Sequence, residues 1–95
     1  MDSVIRDVLG EPKMRGGVTL GRLVRSWDRV VGPALARETA PVGLSGGQLV
    51  VAASGPAWGA QVRFLGDEIR RRANEELGGE AVASVRIVVR PEAGR

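Results

Sequence analysis

The side chains that most often perform catalysis are missing from this sequence of 95 residues, which has no histidine and no cysteine. Zinc fingers, iron–sulfur sites, cysteine nucleophiles and histidine-dependent acid–base pairs are therefore excluded for this chain. Residues 43–47 match the G-x-S-x-G pattern of hydrolases, but a predicted strand follows them where that pattern requires a helix. The only lysine, Lys13, does not belong to a phosphate-binding loop. We therefore predict a protein that is not an enzyme and that uses no cofactor.

Arginine is the other informative residue type, because 13 arginines and one lysine stand against 11 acidic residues, for a net charge of +3. Much of this excess lies on one predicted helix, where Arg22, Arg25 and Arg29 share a face that only Asp28 opposes. Guanidinium groups on one face can follow the phosphates of a nucleic acid, so these three residues are candidate nucleic-acid contacts. The alternative is a solvated face or a surface for an acidic partner.

The run Arg70-Arg71-Arg72 is the most conspicuous group of charges, but acidic residues stand four positions away from its members on both sides. Such i,i+4 pairs neutralise a helix from within. Phosphate binding is the alternative, and its candidate contacts are Arg63, Arg70 and Arg71. Neighbouring acidic residues on a helix point about 100° apart, which does not build an oxygen cage, so we predict no metal site.

The two tryptophans lie on the apolar stripes of predicted helices. Burial in the core is the first expectation for Trp27. Trp58 stands one turn into its helix and suits the core and a contact surface equally well, since tryptophan is enriched at binding hot spots. The spacing Gly43-x-x-Gly46 resembles the GxxG loop of KH domains, but its position between two predicted strands favours a hairpin turn.

The elements that must position these residues follow from apolar periodicity and from glycine and proline punctuation. Their order is helix, helix, strand, strand, helix, strand. The predicted ranges are 1–9, 19–31, 37–44, 48–53, 56–77 and 81–90. This order predicts an α+β fold in which helices cover one face of a three-stranded sheet. No apolar run is long enough to span a membrane and no leader pattern opens the chain, so we expect a cytoplasmic protein.

Two tryptophans, a Val-Gly pair and a Gly-x-Leu-x-Val strand, in this order, resemble the DciA family of bacterial replicative-helicase loaders. The matching residues are Trp27, Val30-Val31-Gly32, Leu35-Ala36, Thr39, Pro41, Leu44, Gly47-x-Leu49-x-Val51, Ser54, Ala57-Trp58, Leu77-Gly78, Val85 and Ile87. The resemblance covers roughly residues 18–89. It implies a KH-like fold. Together with the apolar pattern of 1–9 and the glycine- and proline-containing linker that follows, it predicts a short helix and linker at 1–17, a domain at 18–90 and a short tail at 91–95.

The resemblance also implies an ATP-independent accessory protein that binds the hexameric replicative helicase and assists its loading onto single-stranded DNA. Trp58, Trp27 and Gly32 match family motifs and are the candidate partner contacts, whereas the arginine candidates come from the charge pattern alone. Many members have histidine where this chain has Glu38, and longer members add a basic tail. We expect a monomer or weak oligomer. The alternative functions are a KH-like domain that binds ribosomal or regulatory RNA and a purely structural interaction domain.

Overall fold

The computed structural model of the protein describes residues 19–93, so the predicted helix and linker at 1–17 lie outside the described residues. Residues 19–25 are helical and are called α1. The remaining helices are α2 (Trp27–Val31), α3 (Pro33–Glu38), α4 (Pro56–Phe64) and α5 (Gly66–Leu77). The strands are β1 (Thr39–Ser45), β2 (Gln48–Ala53) and β3 (Ser84–Val89).

The three strands form one mixed sheet in the order β1-β2-β3. β1 and β2 form an antiparallel hairpin whose two turn residues, Gly46 and Gly47, have φ of 57° and 82°, values that favour glycine in this type of tight turn. β3 pairs parallel with β2, from Gln48 opposite Ser84 to Ala53 opposite Val89. The predicted α+β class, the hairpin turn and the edge position of β1 are all confirmed.

The hydrophobic core lies between the helices and one face of the sheet. The central strand contributes Leu49 and Val51, and the helices contribute a larger set of buried side chains. These are Leu23, Trp27, Val30, Leu35, Val62, Ile69 and Ala73. α4 approaches β3 closely, because a Cβ on Gly59 would lie 3.3 Å from Cγ2 of Ile87.

Both long predicted helices are divided in the structure. The helix predicted for 19–31 breaks at Ser26, whose hydroxyl donates to the carbonyl oxygen of Arg22 at 2.8 Å, an interaction that bends helices. The helix predicted for 56–77 breaks at Leu65, between α4 and α5. The apolar stripe continues across each break, which is why periodicity alone joins the pieces.

Two further boundaries differ from the prediction. Pro33 ends α2 as expected but also begins α3, because proline fits the first turn of a helix, where its missing N–H costs nothing. The last strand begins at Ser84 and not at residue 81, because Val82 pairs with a side chain before the ladder starts. Asn74 donates to the Val82 carbonyl at 2.9 Å and accepts from the Val82 N–H at 2.8 Å.

Within residues 19–93, no helix is long and apolar enough to cross a membrane.

Candidate functional site

The three arginines predicted to share a helix face lie together where α1 meets α2. Arg22, Arg25 and Arg29 line a depression of about 210 Å³, together with Ser26 and Glu76. We call these three arginines the α1–α2 arginine cluster. The break at Ser26 does not separate them, so the bent helix pair still presents all three guanidinium groups to one surface region.

An acidic residue from a distant element lies against this cluster. Arg29 Nη1 is 3.1 Å from Glu76 Oε2, and Arg22 Nη2 donates to the Glu76 carbonyl oxygen at 3.4 Å. Local spacing in the sequence indicates Asp28 as the only acidic residue that opposes the cluster. Glu76 is 47 residues from Arg29 in the chain, and it reaches Arg29 through the packing of α5 on α2. Three guanidinium groups against one carboxylate leave the depression positively charged.

The arginine run on α5 is largely neutralised within its own helix, as the spacing predicts. Glu68 accepts from Arg72 Nε at 2.8 Å and also pairs with Arg71. The hydrogen bond from Arg72, together with the nearby charges of both arginines, holds the pKa of Glu68 below its ordinary value. The partner of Arg71 is Glu68, three residues away, and not Asp67 at i,i+4. Arg71 is therefore already paired, which weakens it as a phosphate contact.

Arg63 and Arg70 lie elsewhere, beside the break between α4 and α5. They line a groove of about 440 Å³ with the start of β3, which we call the α4–β3 groove. Its other lining residues are Phe64, Gly66, Asp67 and 83–85. Arg70 Nε is 3.9 Å from Asp67 Oδ1, the outer limit of an ion pair. The six predicted nucleic-acid contacts thus fall into separate regions and do not form one patch.

Phe64 is a residue of this groove that is absent from the predicted contacts. Its side chain is 84% exposed, the largest value among the bulky apolar residues of the described chain. The sequence does contain a sign of this exposure. Phe64 lies outside the apolar stripe that Val62 and Leu65 form, and a side chain outside the buried stripe of a helix lies at the surface.

Trp27 belongs to the core, and its predicted role as a partner contact needs correction. It is 4% exposed, and its indole Nε1 donates to Thr39 Oγ1 at 3.0 Å. The Thr39 hydroxyl in turn donates to the Leu35 carbonyl oxygen at 2.7 Å. This buried chain of hydrogen bonds joins α2, α3 and β1, so the ring has no surface left for a partner.

Trp58 and Gly32 occupy different environments. Trp58 is half-buried and packs against the edge of the core, so part of its ring is accessible. Gly32 links α2 to α3 with φ of 91° and ψ of 156°, a conformation that essentially only glycine adopts. A Cβ at this position would meet no atom within 4 Å, so backbone conformation and not space selects glycine here.

The described residues offer no centre for metal chemistry. No group of three or more acidic side chains in residues 19–93 could hold a metal ion, in a chain without histidine or cysteine. What the arrangement offers instead is surface: one arginine cluster, one groove with an exposed aromatic ring, and one half-buried tryptophan.

The chain is similar to known bacterial proteins over most of its length. The model of the family described as Dna(CI) antecedent, DciA, matches residues 1–87. A UPF0232 protein of Rhodococcus jostii is 37% identical over 76 residues, which is 80% of this chain and 38% of the relative. A UPF0232 protein of Mycobacterium marinum is 29% identical over 87 residues, 92% of this chain and 46% of the relative.

The UPF0232 protein of Bifidobacterium longum is 28% identical over 94 residues, which cover 99% of this chain and 60% of that relative. The chain thus spans about two fifths to three fifths of the length of these relatives. The family match extends over nearly all of the described fold, from α1 into β3. The chain is a member of the DciA family.

Proposed function

We propose that this protein is a non-enzymatic accessory factor of bacterial DNA replication that binds the hexameric replicative helicase and assists its loading onto single-stranded DNA. The observation that carries the proposal is the family match over residues 1–87. The chain acts in the cytoplasm, as a monomer or weak oligomer, and it needs no ATP of its own. Within residues 19–93, the surface offers an arginine cluster and a partly accessible tryptophan, which are groups suited to binding.

The helicase contact in this proposal centres on Trp58. The residue lies in the first turns of α4, next to Pro56 and Ala57, which are exposed. A partly accessible tryptophan beside exposed small residues can enter a pocket on a partner at little entropic cost. Gly32 and Trp27 support this contact indirectly. Gly32 sets the angle between α2 and α3, and Trp27 stabilises the core.

The DNA contact in this proposal is the α1–α2 arginine cluster. Its guanidinium groups are on adjoining helices and can bind successive phosphates of one strand. Glu76 holds Arg29 at one end and limits how far that side chain can reach. Such a contact is electrostatic, so it confers affinity without sequence preference.

The test of the helicase contact is capture of the purified hexameric helicase by the full chain without added nucleotide. Trp58→Ala should weaken capture about tenfold or more, the loss expected of a hot-spot residue. Val42→Ala removes another exposed apolar side chain, on β1, and should leave capture unchanged. Circular dichroism establishes whether each variant is folded. A folded Trp58→Ala that captures the helicase as the parent does would remove Trp58 from the interface.

The test of the DNA contact is the salt dependence of single-strand binding. Replacement of all three cluster arginines by glutamine should weaken binding and reduce the slope of log K against log salt by about 0.7 for each phosphate that is no longer bound. An unchanged slope would remove the cluster from the site. Preferential binding of structured ribosomal or regulatory RNA, with no capture of the helicase, would favour the RNA-binding alternative.

A further inference from the structure

We propose that the α4–β3 groove is a second contact for single-stranded DNA, in which a base stacks on Phe64 and flanking phosphates bind Arg63 and Arg70. This inference rests on the proposed function, because it assigns a further part of the surface to the same single strand. It differs in mechanism from the α1–α2 arginine cluster, which offers charge but no ring.

The first observation is the position of Phe64. It is the last residue of α4, and the side chains that the core requires from this region are those of Val62 and Leu65. Phe64 is 84% exposed, whereas the two tryptophans of the chain are buried or half-buried. The face of this ring is therefore accessible, and an accessible aromatic face can stack on an unpaired base.

The second observation is the charge around the ring. Arg63 precedes Phe64 in the chain and is exposed, and Arg70 lies one turn into α5 on the same groove wall. Asp67 offsets one of these charges at a distance of 3.9 Å from Arg70, with its own side chain fully exposed to solvent. Screening by water weakens such a pair, so Arg70 can exchange Asp67 for a phosphate at little cost.

The third observation is the backbone at the break between the helices. Gly66 follows Leu65 directly, and nothing lies within 4 Å of the place where a Cβ would stand. A nucleotide backbone can therefore approach the groove without meeting a side chain at this position. An exposed ring in a groove that also holds cationic side chains is the combination that single-strand-binding surfaces use.

A protein partner fits this groove less well than a nucleic acid does. The groove is lined by Arg63, Asp67 and Arg70, and charged residues are depleted at the centres of protein interfaces. The other bulky exposed apolar residues of the described chain lie on α1, on β1 and at the far end of β3, and they are Val24, Val42 and Val89. Within the groove, Ala83 and Val85 are the other apolar side chains, and they offer little area to extend a hydrophobic contact around Phe64. A duplex is disfavoured as well, because the faces of paired bases are already stacked on one another.

The experiment measures binding of a fluorescent single-stranded oligonucleotide by anisotropy, with the full chain and two matched variants. Phe64→Leu keeps an apolar side chain and removes the ring, and Phe64→Trp keeps a ring. We expect Phe64→Leu to weaken binding about 5- to 30-fold and Phe64→Trp to match or exceed the parent. The exposed indole of Phe64→Trp should also be quenched on binding, a signature that a purely structural role would not produce. Affinity for duplex DNA should not change between the variants.

The phosphate contacts have a separate readout. Arg63→Gln and Arg70→Gln should each reduce the salt slope of single-strand binding by about 0.7, whereas Phe64→Leu should leave the slope unchanged. An RNA strand of the same sequence distinguishes a general single-strand site from one that discriminates between the two sugars. Binding of RNA alone would overturn the assignment to DNA.

The outcomes separate this inference from the proposed function. Unchanged single-strand binding by Phe64→Leu overturns the groove assignment but leaves helicase capture and the arginine cluster untouched. Loss of helicase capture by Phe64→Leu, with normal DNA binding, overturns it in favour of a protein contact. Equal losses for single strands and duplexes overturn the stacking mechanism. Failure of the parent chain to capture the helicase, with ring-dependent single-strand binding intact, overturns the loader proposal alone.

Discussion

The buried chain of hydrogen bonds from Trp27 through Thr39 to Leu35 gives the sharpest prediction about the fold. Replacement of Thr39 by valine keeps the shape of the side chain but removes the acceptor of the indole N–H. Because Trp27 is 4% exposed, water cannot replace the missing acceptor. A buried donor left unpaired costs about 1–3 kcal/mol, part of which the more apolar valine recovers. We expect Thr39→Val to lower the free energy of unfolding by about 1–2 kcal/mol.

A double-mutant cycle isolates the hydrogen bond from changes in packing. Trp27→Phe removes the donor and leaves a cavity, so it destabilises the protein by itself. In the Trp27→Phe background, Thr39→Val should cost about 1 kcal/mol less than in the parent, because no indole N–H remains to be orphaned. Urea unfolding followed by circular dichroism gives all four free energies without relying on tryptophan fluorescence. Additivity of the two substitutions within about 0.3 kcal/mol would refute the role given to this hydrogen bond.

The same variants test whether Trp27 is a core residue or a partner contact. Because its ring lies in the core, Trp27→Phe should retain helicase capture at a temperature where it is still folded. For a domain of this size, a destabilisation of about 1 kcal/mol lowers Tm by about 4–8 °C, so the working temperature must be chosen from the measured unfolding curve. Loss of capture by a fully folded Trp27→Phe would return Trp27 to the interface.

Three further predictions concern single residues. Gly32→Ala should lower stability by about 1–3 kcal/mol in urea unfolding, because alanine adopts the φ of 91° only with strain. Glu76→Gln should tighten single-strand binding about 1.5- to 5-fold at low salt, because it frees Arg29 from an exposed ion pair, and the gain should vanish at high salt. In urea unfolding, Glu68→Gln should have a lower free energy of unfolding than the parent at neutral pH. At a pH well below the usual pKa range of carboxyl groups, the two proteins should be equally stable. The lowered pKa of Glu68 means that its contribution is present above the ordinary carboxyl range and is lost as pH falls through the lowered value.

The features that local pattern controls could be predicted from the sequence. The hairpin follows from Gly46-Gly47 between two apolar runs, and the internal charge pairing of α5 follows from the acidic residues that stand close to its arginines along the helix. The buried stripe of α4 and α5 follows from the helical period, with Val62, Ile69 and Ala73 all in the core. These features depend on residues close in the chain, so no knowledge of packing is needed.

The features that depend on packing could not be predicted. The ion pair between Glu76 and Arg29 forms because α5 packs against α2, and residue spacing in the sequence does not predict that packing. The breaks at Ser26 and Leu65 are invisible to periodicity because the apolar stripe continues through them. The groove beside Phe64 depends on where the parallel strand β3 returns, since its wall is formed by residues 83–85. The KH-like description and the division of the chain at residues 17 and 90 stay predictions.

The internal pairing of α5 determines how the two proposed DNA contacts relate to each other. Arg71 and Arg72 are held by Glu68 on the side of α5 that continues toward Arg29, whereas Arg70 faces the groove beside Phe64. A helix face with balanced charge therefore lies between the two cationic regions, and it offers a strand no continuous path of phosphate contacts. The two regions bind the same strand through side chains that do not touch each other, so the decreases in affinity from Phe64→Leu and from the arginine cluster should multiply when the substitutions are combined. A continuous basic track would instead show decreases that saturate, because a strand displaced from one part of the track would also leave the rest.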